Sequence, residues 1–198
     1  EDGIRDAQES RGLGDVYKRQ GPEHIYIGCE AGVVYEIDIS GKAHWRFRAQ
    51  RGVTSSPALG EEMLYIGSHD RHVYGLDLRS GWSVWRFRTG GPVVSSPLVE
   101  GGLVFIGSTD NFVYALDAED GHLVWRFETE GQVTSSPAAA EGGLYIGSVD
   151  GAIYCLDCRT GELRWRFQTG GPVTSSPRIG PGVVYIGSHD HYVYALPL

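Results

Sequence analysis

The chain of 198 residues repeats itself every 40 residues, and this repeat constrains its fold more than any other feature. Three short motifs keep the same period: the tripeptide Ser-Ser-Pro, a tryptophan, and the tetrapeptide Tyr/Phe-Ile-Gly-Ser. Chance does not hold several motifs in phase over this length. A period near 40 residues is typical of folds that stack one supersecondary unit against the next. The phase is set by the first serines of the Ser-Ser-Pro motifs, which are Ser55, Ser95, Ser135 and Ser175.

One unit, residues 91–130, predicts four short β-strands. The predicted strands are VVSSPLV, LVFIGS, FVYALDA and HLVWRFET, named a, b, c and d in chain order, with turn residues between them. Strands b and c are almost continuously apolar, which predicts burial on both faces. Strand d alternates, which predicts Leu123, Trp125 and Phe127 on one buried face. Pro97 lacks an N–H donor, so we expect it at a strand start or an unpaired edge.

The repeat predicts an all-β fold, a β-propeller of four-stranded antiparallel blades in an incomplete ring of about five blades. The small residues of strand a suit the axis, where blades converge. A closed five-blade ring is the alternative, and a β-solenoid fits less well because its coils are shorter. The predicted partial blades are residues 21–50 and 171–198, and the predicted full blades are residues 51–90, 91–130 and 131–170.

The first twenty residues match no part of the repeat. They are polar and contain no apolar signal-peptide core. The hexapeptide DVYKRQ, Asp15–Gln20, is what the transposon-end DNA GATGTGTATAAGAGACAG encodes, a sequence used to prepare sequencing libraries. We therefore predict that residues 1–20 are a non-native or disordered segment, and we expect the chain to be a fragment of a longer protein.

Composition excludes some partners. The net charge is -8 and no basic run stands out, which argues against nucleic acid because phosphate binding needs clustered positive charge. No apolar run is long enough to predict a membrane-spanning helix. Three cysteines are too few for a disulfide scaffold. Of these, Cys155 and Cys158 have a Cys-x-x-Cys spacing, but on a strand they would point to opposite faces, so we interpret Cys155 as a small buried filler.

A further pattern lies near the end of each full unit: an Asp, a Gly four residues later and a Trp four residues after that. It resembles the tryptophan-docking motif of the pyrroloquinoline quinone (PQQ) repeat, the blade of quinoprotein dehydrogenases and of PQQ-like propellers that bind no quinone. The resemblance covers residues 24–198 and implies that the tryptophan packs between blades while Asp and Gly shape the turn. The family motif also has an Ala two residues before the Asp, as at Ala115. Departures are Glu36, Gly75 and Cys155 at the Ala position and Pro197 at the Asp position. The motif residues are Trp45, Trp85, Trp125, Trp165, Asp77, Asp117, Asp157, Gly81, Gly121 and Gly161.

The tips between strands b and c are the candidate ligand-binding loops. Their histidines have metal-ligand chemistry, but they occur in only two units, while an aspartate recurs in every full unit as a turn-forming residue would. We therefore predict no metal site and no catalytic residue. The repeated serines lack a positioned base, and the repeated strand-d arginines are expected in surface ion pairs or against an acidic partner. The candidate tip residues are His69, Asp70, His72, Asp110, Asp150, His189, Asp190 and His191.

Three classes of function compete. Near-identical blades favour a non-catalytic scaffold that binds a protein or small ligand, as in relatives that serve outer-membrane assembly or kinase-linked sensing. The alternative is a fragment of a PQQ-dependent dehydrogenase, which would need PQQ with calcium; otherwise we expect no cofactor. The third class is a purely structural spacer. The family resemblance favours a periplasmic or extracytoplasmic location.

Overall fold

The computed structural model describes residues 17–20 and 24–198, and within these ranges it contains nineteen β-strands and no helix, hence no helix that could cross a membrane. Every strand pair is antiparallel and joins neighbours in sequence. The first two sheets contain β1 (Tyr17–Gln20), β2 (His24–Gly28), β3 (Val33–Asp38) and β4 (Ala43–Arg48), then β5 (Ala58–Leu59), β6 (Met63–Ser68), β7 (His72–Asp77) and β8 (Ser83–Arg88). The third and fourth contain β9 (Leu98–Glu100), β10 (Leu103–Gly107), β11 (Phe112–Asp117) and β12 (Leu123–Glu128), then β13 (Ala138–Ala140), β14 (Gly143–Gly147), β15 (Ala152–Asp157) and β16 (Leu163–Gln168). The fifth contains β17 (Arg178–Gly180), β18 (Val183–Gly187) and β19 (Val193–Pro197).

These five sheets are the blades of an open propeller, which confirms the predicted fold class. The core lies between blades and not within them. One cluster, for example, joins Tyr65 and Trp85 of the second blade to Val104 and Leu116 of the third. Since a single four-stranded sheet has no partner for its apolar faces, each copy of the repeat completes the core of the next.

The first blade takes its strand a from outside the repeat. Strand β1 lies in the segment interpreted as non-native and pairs with β2 over four residues. The free edge of β2 would otherwise expose unpaired N–H and C=O groups, which attract any extended chain. The prediction for residues 1–16 lies outside the described residues.

Strand a is shorter than predicted. In the third blade it covers only Leu98–Glu100, and the Ser-Ser-Pro motif precedes it, with Pro97 directly before its first residue. The serines bond across blades instead. The N–H of Ser56 donates to Oγ of Ser96 at 2.8 Å, that of Ser96 to Ser136 at 2.9 Å, and that of Ser136 to Ser176 at 3.1 Å. The repeated serines thus link successive blades at their inner ends.

Strand d departs from simple alternation. The pairing of β11 with β12 shifts register between Ala115 and Leu116, so Val124 is the extra residue of a β-bulge. Trp125 stays buried, but Leu123 is 42% exposed and does not share its buried face. The prediction for Leu123 was therefore wrong, because a bulge resets the two-residue period.

Candidate functional site

In the second to fifth blades, an aspartate fixes the geometry of the tip between strands b and c. In the fourth blade, Oδ1 of Asp150 accepts the N–H of Ala152 at 2.8 Å and closes the tip. Its Oδ2 accepts the Tyr154 hydroxyl at 2.7 Å and the N–H of Glu130 at 3.0 Å. Glu130 lies in the connection from the third blade, so one carboxylate ties a tip, a strand and the blade junction together. Asp70, Asp110 and Asp190 make the same three kinds of hydrogen bond.

These bonds make the tip carboxylates parts of the scaffold. The side chain of Asp70 is only 3% exposed, and its oxygens already accept three hydrogen bonds. A buried carboxylate that is satisfied in this way has little capacity left for a ligand. The tip position that follows each aspartate has a positive φ in Arg71, Asn111 and His191, as the tight turn requires.

We expect Asp150→Asn to lower the free energy of unfolding by about 1–2 kcal/mol. An amide NH₂ at the Oδ2 position would face the Glu130 N–H, so one donor would lose its acceptor. Urea unfolding followed by circular dichroism measures the change. Asp120→Asn is the matched control, because the Asp120 side chain is 58% exposed. An equal loss in both variants would contradict the structural role of Asp150.

The tyrosines bonded to these aspartates are hard to ionise. Burial first, and then the hydrogen bond to Asp150 and its charge, raise the pKa of Tyr154 to about 12. The same causes raise the pKa of Tyr74 and Tyr114. Each phenol therefore contributes stability that is fully present below its unfolded pKa near 10 and is lost as the pH rises through the folded pKa.

We expect the protein to lose stability between about pH 10 and pH 12, with these tyrosines ionising late or only on unfolding. An alkaline titration followed by tyrosinate absorbance and circular dichroism in parallel measures both events. Tyr154→Phe should remove one late-ionising group. Ionisation of all tyrosines near pH 10 in the folded chain would contradict the prediction.

The candidate histidines do not converge on one point. His69 Nε2 lies 2.8 Å from the Thr54 hydroxyl, and His189 makes the same contact with Thr174 in the fifth blade. His72 instead lies with Nδ1 3.2 Å from Oδ1 of Asp70, and His191 occupies the exposed tip turn. Among the described residues, no group of three His, Cys, Asp or Glu side chains is arranged to hold a metal ion.

Cys155 and Cys158 pack in different hydrophobic clusters. Cys155 is buried against Tyr145 and Val184, whereas Cys158 packs on the cluster of the third blade junction. Neither thiol forms a disulfide, and burial raises the pKa of each. A high thiol pKa disfavours the thiolate that redox or metal chemistry needs.

The motif tryptophans lie at the blade junctions. Trp125 Nε1 donates to the Cys158 carbonyl of the next blade at 2.9 Å, and its ring lies over Gly161, where a Cβ would be 2.5 Å from it. Trp45 docks in the same way on Leu78 and Gly81, and Trp85 on Ala118 and Gly121. The motif Asp caps the turn: Oδ1 of Asp157 accepts the N–H of Arg159 and of Thr160. Trp165, in the fourth blade, is only half-buried.

The four-stranded blades agree with what the comparisons with known proteins show. A family model described as outer membrane protein assembly factor BamB matches residues 30–137 and 113–197, most of the chain. The chain belongs to this family of BamB-like PQQ-repeat propellers. Among curated proteins, none matches the sequence significantly.

Two solved structures resemble this BamB-like propeller in fold. The crystal structure of BamB from Moraxella catarrhalis superposes with a TM-score of 0.82 at 19% identity, covering 94% of this chain and 61% of that one. The computationally designed Ika8 protein superposes with a TM-score of 0.84 at 18% identity, covering 93% and 59%. The BamB-like chain thus spans about three fifths of the length of these propellers.

The tip aspartates of this BamB-like chain do not fit a calcium site for PQQ. A calcium site needs several free oxygen ligands, but the repeated tip aspartates already accept hydrogen bonds from the scaffold.

Sequence reasoning missed the residues that break the repeat. Its candidates were tip residues that share one position in several blades, and most of these belong to the scaffold. A charged residue that is found in one unit but not at the same position of most other units would have been the better signal. A residue with a scaffold role recurs from copy to copy, whereas a residue with a binding role need not.

Proposed function

We propose that this chain is a non-catalytic protein-binding scaffold that acts in outer-membrane protein assembly, outside the cytoplasm. One observation carries the proposal: the aspartates and serines that recur in the second to fifth blades are used within the scaffold. The tip aspartates accept backbone and tyrosine hydrogen bonds, and the inner serines bond to the next blade. A partner would therefore be recognised by the exposed surface of the propeller. Repeat scaffolds typically bind their partners through such extended surfaces.

The family match gives the assembly role its support, since the matching description is of an outer membrane protein assembly factor. We propose that the scaffold works without PQQ, calcium or another cofactor. A dehydrogenase would need a positioned base beside its cofactor, and the tip carboxylates are engaged in the contacts described above.

The test is direct binding to the core subunit of the outer-membrane assembly machinery from the same genome, measured by biolayer interferometry. We expect saturable binding with a Kd near or below about 1 μM. A parallel thermal-unfolding assay with PQQ and calcium should show no shift. Stabilisation by PQQ together with no binding to the assembly subunit would overturn the proposal in favour of the dehydrogenase.

A further inference from the structure

The second blade carries a basic corner that no other blade repeats in full. Four exposed arginines belong to it: Arg51, Arg71, Arg86 and Arg88. They come from three elements, the connection from the first blade, the tip between β6 and β7, and the outer strand β8. The chain as a whole is acidic, with a net charge of -8.

The fold brings these arginines to one corner. Arg88 pairs in register with His72 and Arg86 with Tyr74, so both lie on the outer strand beside strand β7. The carbonyl of Arg71 accepts the N–H of Thr89, the residue after Arg88, at 2.9 Å. The Arg51 carbonyl accepts the Ser68 hydroxyl at the base of the same tip at 3.3 Å.

The corner is short of negative charge. Its own carboxylate, Asp70, is buried and bonded to Gln50, His72 and Tyr74. Glu30 of the first blade lies at the same junction, where its backbone contacts Gly52. Within the described part of the chain, none of the four arginines forms an ion pair, whereas Arg166, which is equivalent to Arg86, pairs with Glu130 at 3.0 Å.

The repeat shows that three of these charges have no part in building a blade. The third and fourth blades form the same tip, junction and outer strand without them. Arg86 recurs as Arg46, Arg126 and Arg166, and Arg88 recurs only as Arg48 of the first blade. A charge at the Arg86 position protects the outer edge strand from pairing with other chains. In the third and fourth blades, the equivalents of Arg51 are Gly91 and Gly131, those of Arg71 are Asn111 and Gly151, and those of Arg88 are Glu128 and Gln168.

We propose that this basic corner is the docking site for an acidic segment of a partner protein. The inference rests on the proposed function, because it names the partner chemistry of the scaffold. Guanidinium groups bind carboxylates through paired N–H donors. The half-buried Phe47 ring, whose centroid lies 5.0 Å from that of Tyr74, gives an apolar neighbour for the bound segment. A short peptide fits within one Debye length of the corner, about 8 Å, whereas a nucleic acid or membrane would also meet the acidic remainder of the molecule.

The experiment uses a fluorescein-labelled oligoglutamate peptide and fluorescence anisotropy. The corner variant is Arg51→Gly, Arg71→Asn and Arg88→Glu together, each taken from the third blade, so the fold tolerates these residues at these positions. The control, Arg79→Glu with Arg159→Glu, changes the net charge equally but alters exposed turns between strands c and d. Circular dichroism verifies that both variants are folded.

We expect the corner variant to bind the peptide at least about tenfold more weakly than the unmodified chain, and the control to stay within about twofold. Equal affinity of all three proteins, or equal loss in both variants, would overturn the proposal. So would binding to anionic phosphatidylglycerol vesicles or duplex DNA without binding to the peptide.

The same variants separate this proposal from the proposed function. If the chain binds the assembly subunit and the corner variant binds it equally well, the corner is not the docking site and the scaffold role stands. If the peptide binds at the corner but the assembly subunit does not bind, the corner is a site for acidic segments and the assembly role fails.

Discussion

Replacing Trp125 with Ala should lower the free energy of unfolding by about 3–5 kcal/mol, the largest effect expected of any substitution considered. The Trp125 ring is only 8% exposed and packs against the turn of the following blade. The substitution leaves a cavity at the junction, and the Cys158 carbonyl loses the indole N–H. Because the blades share their core, the loss destabilises two blades together. Urea unfolding followed by far-ultraviolet circular dichroism measures it.

Trp82→Ala is the matched control. Trp82 has the same side chain but is 77% exposed in the turn between β7 and β8. We expect its removal to change the free energy of unfolding by no more than about 0.5 kcal/mol. Similar losses in the two variants would show that the indole does not stabilise the junction through burial.

Gly121→Ala should cost about 2–4 kcal/mol, the second largest effect. Gly121 has a φ of +74°, which strains any residue with a Cβ. A Cβ there would also lie 2.5 Å from the ring of Trp85, so the docked indole would have to move. Denaturant unfolding of the variant gives the total cost.

Gly101→Ala separates the two causes. Its φ of +58° imposes the same backbone strain, but a Cβ at that position would meet nothing within 4 Å. We expect a loss of only about 1–2 kcal/mol from this control. If Gly101→Ala cost as much as Gly121→Ala, the close approach of Trp85 would contribute nothing to the requirement for glycine.

Local sequence was sufficient to predict strands b and c and the tryptophan-docking motif. An apolar run such as that of β10 predicts burial on both faces, and the spacing of Asp117, Gly121 and Trp125 is a property of one turn and one strand. The burial of Trp125 at a junction followed from the resemblance to PQQ repeats. Leu123 was misplaced because a bulge in the pairing of two strands is not visible in either strand alone.

The hydrogen bonds of the tip aspartates and of the inner serines could not be predicted from local sequence. Asp150 accepts from Glu130, twenty residues earlier, and Ser96 donates to Ser136, forty residues later. Such contacts depend on how one blade lies against the next. The sequence shows a repeated aspartate and a repeated serine, and both a ligand site and a scaffold role are compatible with repetition.

By itself, the sequence determined the unit, its four strands and the need for neighbouring copies, because the apolar pattern and the 40-residue period are written in the residues. The tertiary structure decided which polar groups remain available for binding. The oxygens of Asp70 accept hydrogen bonds from the scaffold. Four arginines that are separated along the chain lie at one corner: Arg51, Arg71, Arg86 and Arg88. The physical reason is that charge and hydrogen-bond capacity are settled by neighbours in space, and only the stacking of blades determines those neighbours.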